Sequence, residues 1–256
     1  MDIFHIIDPR TQHGVSSKYA DSQSITPGEK LSHAEIIRRE KTQVYLALER
    51  LLSKEASRLN YPLKINRIIE SDNVEKRLKS EFRNKKYSML VTSLKLENTI
   101  FGNLNELFSI TRNLNSLTFI IPPRQKFHML RKAVLITDFS RDTYTKMRQL
   151  FKWLKPFEPF VNACEVIKMN QFIETEVKIK AWKQVVKKYF DPPTTLKANV
   201  IKGDDYHEAL LNYVWRNDPD VVILPKTGEK SSGFKLSPVN NTKRLIEKVK
   251  KPVLLC

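Results

Sequence analysis

The sequence predicts an α/β protein built from two Rossmann-like layer sandwiches with parallel five-stranded sheets, the first of which lacks its opening strand–helix unit. The first observation is a repeat: residues 71–91 and 203–223 carry the same pattern of an Asp turn, an amphipathic helix and an apolar run. A period of this length exceeds any solenoid unit, so the repeat is a whole domain. The second observation is that uniformly apolar strands alternate with helices, as in parallel sheets covered on both faces.

The second half shows the complete pattern. Five apolar runs predict strands, and amphipathic segments with period 3.6 predict four helices between them. Asp204 or Asp205 is placed to cap the third of these helices, with Glu208 placed to close a capping box from Asp205. The predicted strands are 133–137, 163–169, 198–201, 221–224 and 253–255, and the predicted helices are 142–154, 172–190, one that follows Asp205, and 238–250.

The first half follows the same plan with one unit fewer. Strands are predicted over 2–7, 63–69, 88–91 and 117–121, and a long helix over 29–59 begins at the Thr26-Pro27-Gly28-Glu29 box. Nothing upstream matches the strand and helix at 133–154, so either the chain starts late or the first domain is built without that unit. We expect domains at 1–124 and 125–256.

Composition limits the partners. The net charge of +17 would attract nucleic acid or anionic surfaces. The alternative, which we favour, is that scattered lysines form solvated helix faces interleaved with Glu174 and Glu176. No run of 18 apolar residues and no basic leader with an apolar core is present, so we expect a cytoplasmic protein with no membrane partner.

The sequence carries no recognisable catalytic pattern. The histidines are dispersed, without an i,i+4 pair, and the two cysteines, Cys164 and Cys256, share no redox or metal spacing. The sequence contains no P-loop, G-x-S-x-G or paired-carboxylate motif. We therefore expect neither an enzyme nor a metal site.

Four segments of the second half resemble the universal stress protein family in its tandem form. KAVLITDFS at 132–140 is similar to that family's opening strand and terminal acid, and GDDYHEAL at 203–210 to its Gly-Asp turn. DVVIL at 220–224 and KPVLL at 251–255 are similar to its fourth and closing strands. In the first half, FHIIDP at 4–9 and YSMLVTS at 87–93 are similar to the second and fourth strands. The likeness extends over nearly the whole chain.

The resemblance implies a nucleotide site and also a defect in it. ATP-binding members carry Gly-x2-Gly-x9-Gly-Ser/Thr before the last helix, where bare backbone approaches the phosphates. Here Val239-Asn240 falls on the final Gly-Ser, and Pro238 removes a donor; the first half keeps only Gly102, followed by Asn103. The pocket residues that the resemblance implies are Asp138, Gly228, Gly233, Ser237 and Asn240. The alternatives are a cap or strand-end turn for Asp138 and loop punctuation for the glycines.

The resulting expectation is a non-enzymatic stress-response protein with a degenerate ATP-binding loop and no bound cofactor. A functional ATP- or AMP-binding regulator and a basic nucleic-acid-associated protein remain the alternatives. The resemblance further implies that the two domains pair through their closing strands within one chain, with a homodimer left open. An incomplete first sheet would expose a strand edge that needs a rearrangement or a partner.

Overall fold

The structure, a computed structural model, describes residues 1–7, 32–56, 58, 64–85, 87–94, 103–112, 114–125, 129–139, 144–167, 172–189, 195–226 and 239–256. They form nine strands and seven α-helices. The strands are β1 Asp2–Ile7, β2 Asn66–Ser71, β3 Met89–Ser93, β4 Leu117–Ile121, β5 Lys132–Ile136, β6 Phe160–Ile167, β7 Thr195–Lys202, β8 Val221–Leu224 and β9 Val253–Leu255. The helices are α1 His33–Ala56, α2 Val74–Lys85, α3 Leu104–Thr111, α4 Tyr144–Leu154, α5 Phe172–Tyr189, α6 Tyr206–Asn217 and α7 Val239–Val249.

These elements fall into two compact units, Met1–Asn84 and Lys85–Cys256. In the first unit, β1 and β2 form a parallel two-stranded sheet. In the second unit, seven strands form one sheet in the order β3-β4-β9-β8-β5-β6-β7. The domain boundary expected at residue 124 stays a prediction.

The α/β class with parallel-dominated sheets is confirmed, but the expected pair of five-stranded sheets is wrong. The strands β3 and β4 of the first half join β9 of the second half, because β4 and β9 pair antiparallel. Among the described residues, no strand continues the sheet beyond β3, so β1 and β2 make a separate sheet. The physical reason is the place of β5: it lies between β8 and β6 in the second half, and no described strand of the first half takes the equivalent place beside β3.

The internal repeat is confirmed in the backbone. Helix α2 starts at Val74 and α6 starts at Tyr206, 132 positions later, and both have 12 residues. The side chains of Leu78 and Leu210, which hold equivalent places in these helices, are both 0% exposed. The same apolar positions therefore anchor both copies of this helix.

The seven-stranded sheet of the second unit is buried on both faces, since Val222 on one face and Ile223 on the other are both 0% exposed. Helices α4 and α5 cover the face of Ile223 with Leu150, Phe151 and Trp182, all nearly inaccessible to solvent. Burial of this apolar surface supplies the main stabilisation of the unit. Strands β5, β6, β7 and β8 run parallel, so their carboxyl ends lie at the same edge of the sheet.

Candidate functional site

The candidate site lies where β5 ends. Strand β5 pairs with β6 on one side and with β8 on the other, so the chain connections diverge at this point. In open parallel sheets, ligands bind in the crevice at the carboxyl ends of strands where the strand order reverses. Asp138 follows β5 by two residues and is partly buried. The structure therefore places this predicted residue at the position where an α/β fold holds a ligand.

The turn after β5 is held by its own polar groups. The backbone N–H of Thr137 donates to the Cys164 carbonyl at 3.0 Å, and the Phe139 N–H donates to Thr137 Oγ1 at 3.1 Å. Phe139 has φ of 54°, which is uncommon for a residue other than glycine. Its buried ring packs edge-on against Trp182, with centroids 5.1 Å apart. The packing of Phe139 thus fixes the conformation in which Asp138 is presented.

A second turn, after β7, shows why the Gly-Asp motif has a glycine. The Gly203 N–H donates to the Ile167 carbonyl at 3.2 Å, which draws the turn against the end of β6. A Cβ at position 203 would lie 2.5 Å from the Ala209 Cβ, closer than two carbon atoms can approach. Only glycine fits there while α6 keeps its position.

The structure confirms one of the two hydrogen bonds of the predicted capping box of α6, in which the Asp205 side chain accepts from the Glu208 backbone. Asp205 Oδ1 accepts the Glu208 N–H at 2.9 Å, and the Asp205 backbone is extended, as an N-cap residue requires. This hydrogen bond is the main cause that lowers the pKa of the Asp205 carboxyl below its ordinary value. Asp205 therefore has a structural role at this edge of the sheet.

The segment after β8 begins with a fixed lysine, which the sequence reasoning did not single out. Lys226 Nζ donates to the carbonyls of Leu114, at 3.1 Å, and Ser116. The Lys226 N–H donates to the Cys256 carbonyl at 2.6 Å. This role of Lys226 was hard to predict, because no local sequence feature distinguishes it from the other lysines.

Most of the predicted pocket cannot be placed. Gly228, Gly233 and Ser237 lie outside the described residues. Asn240 is the second residue of α7, but its side chain is outside the description as well. Of the five predicted pocket residues, Asp138 alone has a described side chain, so the grouping of the five stays a prediction.

Helix α3 was missed by the sequence reasoning, although a signal for it existed. Asn103 is its N-cap, and Asn103 Oδ1 accepts the Glu106 N–H at 3.0 Å. The sequence Asn-Leu-Asn-Glu has the spacing of a capping box followed by apolar Leu107 and Phe108. Asn103, which follows the Gly102 remnant of the phosphate motif, is thus a helix cap.

The reactive side chains are not grouped for catalysis in the part of the chain that is described. Cys164 is completely buried, and burial raises the pKa of its thiol far above the ordinary value. A thiol kept protonated in this way is a poor nucleophile. Over the described ranges, no group of three or more His, Cys, Asp or Glu side chains is arranged to hold a metal ion. No helix within those ranges is both long and apolar enough to cross a membrane.

Comparison with known proteins gives a likeness of structure only. No family model matches the sequence, and no curated protein matches it. A universal stress protein from Archaeoglobus fulgidus DSM 4304 matches with a TM-score of 0.59 and 14% identity, covering 100% of this chain and 84% of its own. A functionally unknown protein from Pseudomonas aeruginosa PAO1 matches with a TM-score of 0.53 and 12% identity, over 99% and 91% of the two chains. The described residues of this chain thus have a Rossmann-like α/β fold similar to that of a solved universal stress protein.

Proposed function

We propose that this chain is a non-enzymatic cytoplasmic regulator of the universal stress type whose turn before the last helix no longer binds the triphosphate of ATP. Any ligand of the chain is then recognised by other groups on the protein surface and not by a phosphate-binding turn. The proposal depends on the start of α7.

Helix α7 begins at Val239, the residue that falls on the glycine of the ATP-binding motif. A phosphate cradle needs backbone N–H groups that a phosphate oxygen can approach without meeting a Cβ. Valine is branched at Cβ, and the preceding Pro238 has no N–H to donate. The residues present therefore do not suit a triphosphate.

The equivalent helix of the first half supports the same reading. Helix α3 begins at Leu104, 135 positions before Val239, so this helix start also carries a bulky side chain. The Asn103 side chain already accepts the Glu106 N–H, one of the donors that an anion would need. The start of α3 thus uses for its own cap a donor that an anion would need.

Three polar side chains near the carboxyl ends of the parallel strands make hydrogen bonds within the protein. Thr137 Oγ1 accepts from Phe139, Asp205 caps α6, and Lys226 Nζ bonds the carbonyls of Leu114 and Ser116. A catalytic acid, base or nucleophile needs a side chain held toward a substrate. These three side chains are committed to turns and caps, which supports a binding or regulatory role.

The antiparallel pairing of β4 with β9 supports an internal partnership of the two halves. Each half contributes its closing strand, and the pairing lies inside the seven-stranded sheet. We therefore propose that one chain supplies both members of a pair.

Thermal unfolding in the presence of ATP or AMP tests the proposal. A binder at 100 times its Kd gains about 2.7 kcal/mol, which corresponds to a rise of roughly 5–10 °C in Tm for a domain of this size. We expect a change within the scatter of replicates at millimolar nucleotide. A concentration-dependent rise would overturn the proposal.

One observation favours the second candidate, a functional nucleotide-binding regulator. Asp138 lies at the divergence point beside β5, where a carboxylate could accept hydrogen bonds from a ribose. In that case the rise in Tm should disappear in Asp138→Asn and persist in Asp204→Asn, a matched change at an exposed aspartate. The pair of variants separates specific binding from a general charge effect.

A further inference from the structure

Strand β3 forms one edge of the described seven-stranded sheet. Strand β3 is the last strand of the seven-stranded sheet on its side, and β4 is its strand neighbour among the described residues. The Ser88 carbonyl accepts the Leu117 N–H at 3.0 Å, and the Leu94 N–H donates to the Ile121 carbonyl at 2.8 Å. Backbone groups alternate along a strand. The N–H and C=O groups of Met89 and Val91 therefore point away from β4.

The second half of the chain shows what lies on the equivalent edge. Strand β8 begins 132 positions after β3, and each pairs in parallel with the closing strand of its own half. On its other side, β8 carries β5 in parallel, with Ala133 opposite Val221 and Leu135 opposite Ile223. Met89 and Val91 are the equivalents of Val221 and Ile223. Among the described strands, none occupies on β3 the edge that β5 covers on β8.

A single row of side chains crosses the sheet and ends at this edge. Paired residues in a sheet share a face, so the row can be followed from strand to strand. At its centre, Leu254 and Ile223 are both 0% exposed, whereas Val91 at its end is 56% exposed. The row consists of Val91, Phe119, Leu254, Ile223, Leu135, Ala163 and Ala198. An apolar row that stops at an exposed valine is an incomplete one.

We propose that the outer edge of β3 binds an extended apolar segment of another polypeptide, parallel to β3 and in the register that β5 adopts on β8. The main-chain groups of Met89 and Val91 would give the hydrogen bonds, and an aliphatic side chain opposite Val91 would continue the row. The repeat fixes the chemistry of this partner: about five apolar residues followed by an amphipathic helix, as in β5 and α4. The net charge of +17 favours acidic residues beside the strand.

The direction of pairing distinguishes this partner from a second copy of the chain. Two copies that meet on the same edge are related by a two-fold axis, which makes paired strands antiparallel. The precedent within the chain is parallel, since β5 and β8 run in the same direction. The proposed occupant is therefore a strand that pairs in parallel, and not the same β3 edge of a second copy.

The probe is a fluorescent synthetic peptide with the sequence of residues 129–154, which spans β5 and α4. Its binding to the full chain is followed by fluorescence anisotropy, with a scrambled peptide as a blank. Val91→Lys places a charge in the apolar row and should weaken binding about tenfold or more. Val177→Lys is the matched control, because Val177 lies on α5 and is 64% exposed; it should bind like the parent.

A second variant tests the hydrogen bonds separately from the side chain. In Val91→Pro, the N–H that is removed points away from β4, so the existing ladder keeps its bonds while the incoming strand loses a donor. The urea midpoint of the unit should change little, and peptide binding should be lost. Hydrogen exchange of the parent should show the Val91 amide protected when the peptide is present.

Three results would overturn the proposal. The first is absence of saturable binding, and the second is equal weakening by Val91→Lys and Val177→Lys. The third is a dimer of the free chain that Val91→Lys dissociates, because the edge would then be covered by a second copy.

Discussion

Phe119 and Leu254 face one another at the centre of the antiparallel pairing of β4 with β9. On either side, Thr118 pairs with Leu255 and Ile120 pairs with Val253. Thr118 and Val253 also hold equivalent places in the repeat, since Leu90 pairs with Thr118 as Val222 pairs with Val253. The two closing strands are thus related by a local two-fold axis that passes between Phe119 and Leu254, which is the geometry expected of a duplicated unit paired with itself.

Shortening Leu254 should destabilise the protein at this axis. Leu254 is 0% exposed and lies in the apolar core, so Leu254→Ala leaves a cavity and should cost about 2–5 kcal/mol of unfolding free energy. Urea unfolding followed by fluorescence of the buried Trp182 measures it. Leu46→Ala, at a leucine 49% exposed on α1, is the control and should change the midpoint very little. Equal effects of the two variants would show that β9 is not buried as described.

Adding one methyl group at Gly203 should destabilise the turn after β7. The new Cβ would lie 2.5 Å from the Ala209 Cβ, and neither atom belongs to a flexible chain end. Overpacking of this kind costs about 1–3 kcal/mol.

A second change should rescue the first. In the double variant Gly203→Ala/Ala209→Gly, the clash is removed while a glycine enters α6 at about 1 kcal/mol. A double-mutant cycle should therefore give a favourable coupling energy between positions 203 and 209. Strict additivity would argue against the close approach.

The cap of α6 should contribute to acid sensitivity. The Glu208 N–H lowers the pKa of Asp205 in the folded state, so the ionised carboxylate stabilises the fold above the unfolded pKa of an aspartate. That contribution is lost as the pH falls through the lowered folded pKa. Asp205→Asn keeps an acceptor oxygen without the titration, so its urea midpoint should fall less than that of the parent between pH 6 and pH 3.

The same experiment has a matched control in the neighbouring position. Asp204→Asn removes an exposed aspartate that makes no cap, and its pH dependence should follow the parent. If the two variants behave alike, the cap hydrogen bond is not the source of the effect.

Both thiols should resist modification in the folded protein. Cys164 and Cys256 are buried, and burial raises the pKa of the Cys164 thiol, which suppresses the reactive thiolate. Ellman's reagent should therefore react with Cys164 only as fast as the second unit unfolds, and urea should accelerate the reaction. A rapid phase in native buffer that Cys164→Ala abolishes would contradict the burial.

Much of the fold could be predicted because each helix and strand of the second half has its own local sequence pattern. Val221–Leu224 and Val253–Leu255 were bounded correctly, since short apolar runs flanked by Asp220 and Pro252 allow one interpretation. The repeat added long-range information, because Val74 and Tyr206 occupy equivalent helix starts.

The local sequence alone could not predict the assembly of the strands, although the resemblance implied that the two closing strands pair. Nothing in Leu117–Ile121 alone shows that this strand pairs with β9 and merges two expected sheets into one. Pairing across 135 positions depends on which edges remain open after each half has folded, and local periodicity does not record this. The capping pattern at Asn103 was local and readable, by contrast, but the resemblance drew attention to Gly102 instead.

The site was predictable only in part. Asp138 follows a strand that the sequence marks clearly, and its place just after β5 could be predicted from that. The role of Lys226 depends on the carbonyls of Leu114 and Ser116, which are more than 100 positions away in sequence. The spacing of residues along the sequence does not indicate a contact of this kind.

Native mass spectrometry of the freshly purified chain tests the central claim most directly, because it reports retained nucleotide and stoichiometry in one spectrum. We predict a species whose mass equals that of the polypeptide, with no added ATP or AMP after incubation at millimolar nucleotide and gentle desalting. A species heavier by one or two nucleotides, lost in Asp138→Asn but kept in Asp204→Asn, would contradict the claim that the turn before α7 has lost its phosphate cradle.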